Sequence, residues 1–322
     1  MSGQPANPPA HGVRIEWSEV PPAVRADFEA WAGSPVISAV NQQGGFSPGV
    51  AARVLLADGR RVFVKAVSPA QNEVSPVFAR REAFITRSLP PATPAPPLLW
   101  EYDQDGWVVL AFAEIAGQMP AQPWLLPELE RVIDAMDQLA DALTPTPLPP
   151  EFAGMISEHV AASIHGWGQL RDGPPEPLAA LDDWSRWHLD QLIELEAQAP
   201  AAVTGSTLLH FDIRADNILL SPEQVWFVDW PHARVGAPWV DLAAFAQSAA
   251  LNGGLPPEQI LQRSRYGRAA NPADVTAFLA ALSGFFVQRS FQPAPPGLPT
   301  LRAFQAAQGA ETINWLKQRL AV

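Results

Sequence analysis

Residues 208–229 read LLHFDIRADNILLSPEQVWFVD. His210 stands two positions before Asp212, Asn217 follows five positions later, and Asp229 closes the stretch after a short hairpin. Apolar runs flank each of these: Leu208-Leu209, then Ile218 to Leu220, then Val225 to Val228. The pattern predicts short buried strands that hold polar groups at their ends on a rigid scaffold. Asp212 is spaced to act as a base. Asn217 and Asp229 are oxygen donors placed to share a divalent cation.

Upstream, VFVKAV (62–67) sets Lys65 inside an apolar strand. Alternation puts Phe63 and Lys65 on one face, with Val62, Val64 and Ala66 on the other. A lysine there needs an anionic partner. Residues 76–89 predict a helix with Ser75 as N-cap and Pro76 in the first turn. On it Glu82 reaches back toward Lys65, while Glu73, in the preceding loop, is the competing partner. Before Lys65 lies a hairpin, with Val50 to Leu56 and Arg61 to Val67 turning at Asp58-Gly59. Before that hairpin, Gly44, Gly45 and Gly49 bracket Phe46, Ser47 and Pro48. Glycines let a backbone approach a ligand closely and aim N–H groups at an anion. A helix over 21–32, a strand over 36–40 and a strand pair over 97–101 and 107–112 complete a small antiparallel lobe of five strands and one helix.

The length, 322 residues, favours two lobes over one core, and 48% hydrophobic residues suffice to build them. No cysteine is present, which excludes disulfides, thiolate metal sites and a cysteine nucleophile. The first twelve residues lack the basic and apolar regions of a signal peptide and read as a disordered lead. No apolar run is long enough to span a membrane, so a cytoplasmic, soluble protein is expected. With 33 acidic against 21 basic residues the net charge is −12, which disfavours a nucleic-acid partner and draws cationic small molecules. Proline-rich stretches at 90–97, 144–150 and 292–299 read as rigid connectors.

The remainder predicts helices over 126–143, 152–167, 177–197, 237–250, 271–290 and 300–320, a larger and mainly helical lobe. Acidic residues accumulate from Glu151 to Glu196, interleaved with Trp167, Trp184 and Trp187. They read either as a solvated helix face or as the wall of a pocket for a cationic ligand. His159, His165 and His188 share no metal-ligand spacing.

Taken in order, the glycine-rich turn, Lys65, Glu82, the connector, His210-x-Asp212, Asn217 and Asp229 resemble the aminoglycoside phosphotransferase family of protein-kinase-like small-molecule kinases. HFDIRADN (210–217) is similar to that family's catalytic loop, and FVDWPHARVGAPWVDLA (227–243) to its metal-binding segment. Protein kinases carry D-F-G and A-P-E there, whereas this chain has Asp229-Trp230-Pro231 and no A-P-E. The resemblance implies an α+β, bilobal fold: a lead over 1–12, a phosphate-binding N-lobe over 13–112 and a C-lobe over 113–322. It implies ATP and Mg²⁺ as cofactors and a small-molecule hydroxyl as acceptor. Asp212 would then orient the attacking hydroxyl, Asn217 and Asp229 would hold the metal, and Lys65, paired with Glu82, would bind phosphates. Gly44, Gly45, Ser47 and Gly49 would cradle the nucleotide, with Ala113 and Ile115 as connector contacts. His210 would brace the loop, and Asp241 would anchor the segment after Asp229. Arg214 stands where this family commonly has histidine; a cation there is placed to neutralise the transferring phosphoryl group. Asp216 either braces the loop or repels a wrong ligand. The acceptor reading is an aminoglycoside-like antibiotic or amino sugar. A metabolite kinase and a nucleotide-binding pseudokinase scaffold are the alternatives.

Overall fold

The structure is a computed structural model that describes residues 8–320. The first seven residues of the expected lead lie outside the described residues. Five strands, β1 (Val36–Asn41), β2 (Val50–Leu56), β3 (Arg61–Val67), β4 (Leu98–Gln104) and β5 (Trp107–Ala113), form one antiparallel sheet in the order β1-β2-β3-β5-β4. Two helices cover it, those predicted over 21–32 and 76–89, where the lobe was expected to use one. On one face α1 (Pro22–Ala32) packs Val24 and Phe28 against Val54, Val62, Val64 and Val109. On the other face α2 (Ser75–Ser88) packs Ala79 and Ala83 against Val67, Val108 and Leu110. The strict alternation of β3 feeds both layers, and that is what turns Lys65 toward α2.

Ser75 is the first residue of α2 rather than its cap. Asn72 does the capping, its side-chain oxygen accepting the N–H groups of Val74 and Ser75 at 3.0 and 3.1 Å. An Asn ahead of a helix offers a carbonyl to free backbone donors just as a serine does.

After the sheet the chain is helical: α3 (Leu126–Ala142), α4 (Pro150–Ala153), α5 (Ile156–Ser163), α6 (Trp167–Asp172), α7 (Pro175–Ala179), α8 (Asp183–Trp187) and α9 (Leu189–Ala202). Two of the expected helices are broken. Gly154, at φ 77°, separates α4 from α5, and its carbonyl accepts from Val235. Asp182 caps α8 through Ser185 and so interrupts the second. Two strand pairings then present the loops of interest: β6 (Thr207–Leu209) pairs with β9 (Arg234–Gly236), and β7 (Ile218–Leu220) with β8 (Val225–Phe227). The chain ends in α10 (Trp239–Leu251), α11 (Pro257–Arg263), α12 (Arg265–Ala269), α13 (Pro272–Ser290) and α14 (Leu301–Leu320). The central helix α13 is buried from Val275 to Gly284 and packs against both α9 and α14.

Among the described residues no helix is long and apolar enough to cross a membrane. Among the described residues, none of the acidic run lines the cleft beside Lys65. Glu196 is buried and accepts the N–H groups of Gly166 and Trp167 at the start of α6, at 2.7 and 3.1 Å. Asp172 and Asp183 pair with neighbouring arginines, and Trp187 is exposed to solvent. The side chain of Glu151 lies outside the described residues.

Candidate active site

The stretch 208–229 folds as two strand ends facing each other across a turn. His210 is fully buried beneath the turn. Its Nε2–H donates to the Val228 carbonyl at 2.9 Å, since a carbonyl can only accept, and its Nδ1 accepts the Asp212 N–H at 3.2 Å. The Asp241 carboxylate, in the first turn of α10, accepts the N–H groups of His210 and Phe211, both at 2.8 Å. Asp241 thus anchors the turn before Asp212, not the segment after Asp229 as the sequence suggested. Phe211 sits at φ 60°, a region a bulky residue enters only under constraint, and these bonds supply the constraint. Burial pushes the Asp241 carboxyl up to about 6 against the pull of those two donors.

His210 uses one nitrogen as donor and the other as acceptor, so the geometry requires the neutral ring. Burial accordingly depresses it to about 4, against about 6.5 in an unfolded chain. A depressed histidine binds its proton more weakly when folded than when unfolded. Its contribution to stability is therefore complete above about pH 6.5 and declines as pH falls through the window down to about 4. Across that window His210 is expected to account for a loss on the order of 3 kcal/mol. Urea melts of the protein and of His210→Gln between pH 7.5 and 4.5 check this. The variant should show the shallower acid slope, and equal slopes would refute the assignment.

Asp212 is doubly held. Arg214 Nη1 donates to its Oδ1 at 2.6 Å, and Asn217 Nδ2 donates to its Oδ2 at 3.0 Å and to its carbonyl at 2.8 Å. Burial raises the Asp212 carboxyl, and Arg214 opposes that rise. The Asn217 nitrogen faces two acceptors, which leaves its oxygen as the outward donor atom. Arg214 also forks onto Asp216, Nε to Oδ1 at 3.0 Å and Nη2 to Oδ2 at 2.8 Å. Asp216 therefore braces Arg214 within the loop. The guanidinium lies 5.5 Å from the Phe46 ring and 5.6 Å from that of Phe304.

Lys65 bridges the two halves of the fold. Its Nζ donates to both oxygens of Glu82, at 2.7 and 2.8 Å, and to Asp229 Oδ1 at 2.6 Å. Glu73 takes no part in this cluster. Two carboxylates share one ammonium, so an excess negative charge is confined in a largely buried place. Burial raises Glu82 to about 7, whereas the lysine keeps Asp229 low, at about 2. Asp229 itself is at φ 70°, a left-handed turn that ends the β8 side of the hairpin.

A cleft of about 520 Å³ opens beside this cluster, within the size range of small-molecule sites. Gly44, Gly45, Ser47, Lys65, Glu82, Ala113, Ile115, Asn217 and Asp229 line it. Gly49 does not. A Cβ there would sit 2.4 Å from the Ala66 carbonyl, so this glycine serves close packing of the loop on β3. Asp212 and Arg214 do not line the cleft itself but adjoin it through Asn217 and Asp216. Gln118 ties the connector to β7 through paired backbone bonds with Leu220, at 3.1 and 2.7 Å.

Sequence reasoning missed Arg14, which lines the cleft from the N-terminal segment, and Phe304, whose ring meets Phe46 at 4.9 Å from the start of α14. Neither stands in a motif, and both reach the loop across long separations in sequence. Among the described residues no group of three or more His, Cys, Asp or Glu gathers to hold a metal. The pair Asn217 and Asp229 fits a hard cation that takes few protein ligands and shares the rest with phosphate oxygens.

An antiparallel sheet with a Lys–Glu pair, a cleft, and a base-bearing loop on a helical lobe is the arrangement of protein-kinase-like phosphotransferases. A model of the phosphotransferase enzyme family matches residues 44–282, and the chain belongs to that family. It is therefore a phosphotransferase acting on a hydroxyl group of a small molecule. Among solved structures it is similar to a thermostable mutant of aminoglycoside phosphotransferase APH(4)-Ia in ternary complex with AMP-PNP and hygromycin B. That likeness has a TM-score of 0.60 and 16% identity, covering 94% of this chain and 99% of the other. It is likewise similar to the choline kinase LicA from Streptococcus pneumoniae, with a TM-score of 0.59, 11% identity, and 91% and 98% of the two chains covered. At such identities the likeness speaks for the fold alone. No curated protein matches the chain.

Proposed function

We infer that the protein transfers the γ-phosphate of ATP to a hydroxyl of a small molecule. The observation that carries this reading is Lys65, held within 2.8 Å of both Glu82 and Asp229 at the end of the cleft. A lysine fixed between a sheet, a helix and a loop is a preformed seat for phosphate oxygens. In this reading Gly44, Gly45 and Ser47 cradle the phosphates, and Ala113 and Ile115 present the connector backbone to the base. Asn217 and Asp229 would hold Mg²⁺, which when bound neutralises charge on the phosphates and orients them. Asp212, bonded by Arg214 and aimed by Asn217, accepts the proton of the attacking hydroxyl. Arg214 is poised to pass from its two carboxylates to charge developing on the transferring group.

For the acceptor we favour a cationic small molecule, an amino sugar or aminoglycoside-like antibiotic, on the strength of the net charge of −12. The similarity in fold to a choline kinase favours a second reading, a metabolite kinase for an amino alcohol or sugar. A pseudokinase is the weaker reading, because base, metal-binding carboxylate and strand lysine are all present, the last two bonded to each other. The test is ADP formation by the purified protein with ATP and Mg²⁺, screened across aminoglycosides, amino sugars, amino alcohols and neutral sugars. Turnover with cationic acceptors is expected. Turnover with neutral sugars alone would overturn the charge argument, and turnover with none of them the enzyme reading.

A further inference from the structure

The family match begins at residue 44, yet part of the cleft is built upstream of it. Residues 9–15 run beside the glycine-rich loop and bond to it repeatedly. The Gly12 N–H donates to the Gly45 carbonyl at 2.9 Å, that of Gly49 to Val13 at 3.1 Å, and that of Ile15 to Gly49 at 3.2 Å. The approach is so close that a Cβ on Gly12 would lie 2.7 Å from the Ser47 carbonyl oxygen. On its other side the segment is held by the stretch leading to α14. Val13 donates to Gly297 at 2.8 Å, and Thr300 donates to the Pro9 carbonyl at 2.9 Å. Residues 8–12, expected as part of a disordered lead, are thus a fixed layer of the site.

From this layer Arg14 points into the cleft that Lys65 and Asp229 line. Its Nη2 donates to the Gly44 carbonyl at 2.7 Å, and its Nη1 donates to the Ser47 carbonyl. Two of the five guanidinium donors are thereby used, and both go to uncharged acceptors. Among the described residues no carboxylate forms an ion pair with it. A half-buried guanidinium that no carboxylate bonds, with Asp229 acting on it only through space, is costly to keep, and it has an obvious use beside a polyanion. The carbonyls it grips would otherwise present negative ends to the same ligand.

We propose that Arg14 is a phosphate-binding residue of this enzyme. Its guanidinium clamps the glycine-rich loop through two carbonyls and, together with Lys65, meets the phosphate chain of the nucleotide. The inference rests on the nucleotide-binding reading above. Arginine suits this double task because its planar fork serves two acceptors at once, which a lysine ammonium cannot do in fixed geometry.

The experiment is calorimetric titration of the full chain and of Arg14→Gln with ATP plus Mg²⁺ and, separately, with adenosine. Losing a charge-assisted contact should weaken ATP by about 10- to 100-fold, leaving adenosine affinity unchanged. ATP binding as tight as in the parent overturns the proposal. So does an equal weakening of ATP and adenosine, which would give Arg14 a role in loop folding only. Where a thermal melt shows Arg14→Gln to be unfolded, Arg14→Lys takes its place with the same criterion, selective loss of ATP over adenosine. Should the parent protein bind no nucleotide at all, the functional reading fails rather than the assignment of Arg14.

Discussion

Asp212→Asn is expected to lower kcat for phosphoryl transfer by about 10³-fold while leaving ATP affinity close to that of the parent. The asparagine preserves shape and its oxygen still accepts from Arg214; its NH2 no longer accepts from Asn217, but Asn217 keeps its bond to the backbone carbonyl of residue 212, so the loop should hold. What it loses is the negative charge and the capacity to take a proton from the acceptor hydroxyl. The nucleotide contacts assigned to Lys65, the glycine-rich loop and the connector lie elsewhere in the cleft and are untouched. Alanine would be a poorer probe, because it strands the Asn217 amide and the Arg214 guanidinium that now donate to the Asp212 carboxylate. Arg214→Ala should slow transfer less, by about 100-fold. Steady-state kinetics on the acceptor found by screening, with calorimetric ATP affinities, checks both. An Asp212→Asn enzyme that keeps more than a tenth of the parent's kcat would remove Asp212 from the base role.

The parts legible in the sequence are those written locally. Alternation in 62–67 fixed the side of the sheet on which Lys65 lies, and helical spacing placed Glu82 about two turns into α2, facing it. The spacing of Asp212, Asn217 and Asp229 between apolar runs was enough to expect a loop with oxygen donors at strand ends; Asn217 does bond Asp212, and Asn217 and Asp229 line one cleft. What escaped is what only three-dimensional closure creates. Arg14 meets Gly44 across thirty residues, and Arg214 lies over Phe304 across far more. No periodicity encodes such pairs. Asp241 was recognised as a structural position, but its partners turned out to be the backbone of His210 and Phe211. A carboxylate can anchor any pair of N–H groups within reach, and reach is set by the packing of α10.

The acidic run from 151 to 196 shows a different limit. Composition left a solvated helix face and a charged wall both open; the structure uses Glu196 as an interior cap, with other members paired at the surface. Helix caps and ion pairs leave the same compositional trace as a ligand pocket, so charge counting alone cannot separate them. The cationic-acceptor reading thus stands on the long-range field of the whole protein, with no support from these residues, and the acceptor screen bears directly on it.

Lys65→Met is expected to damage stability and nucleotide binding together, in a way that pH separates. Removing the ammonium leaves Glu82 and Asp229 as neighbouring carboxylates, Glu82 almost wholly buried and Asp229 about four-fifths so. Breaking such a cluster from one side costs about 3 kcal/mol at neutral pH. With the lysine gone, both folded-state carboxyls rise above their unfolded values near 4. The folded variant then binds protons more tightly than its unfolded chain, so its stability improves as pH falls and is lost as pH rises through the raised values. In the parent protein the same sign already applies to Glu82, raised to about 7. Urea melts at pH 7.5 and 5 should therefore show a large gap between parent and variant at the higher pH and a smaller one at the lower. The double variant Lys65→Met with Glu82→Gln removes the surplus charge and should recover most of the stability, yet it should still bind ATP poorly, since no cation returns to the cleft. A single variant as stable as the parent at pH 7.5, or a double variant that regains nucleotide binding, would mean that Lys65 is not the electrostatic hinge between the two lobes.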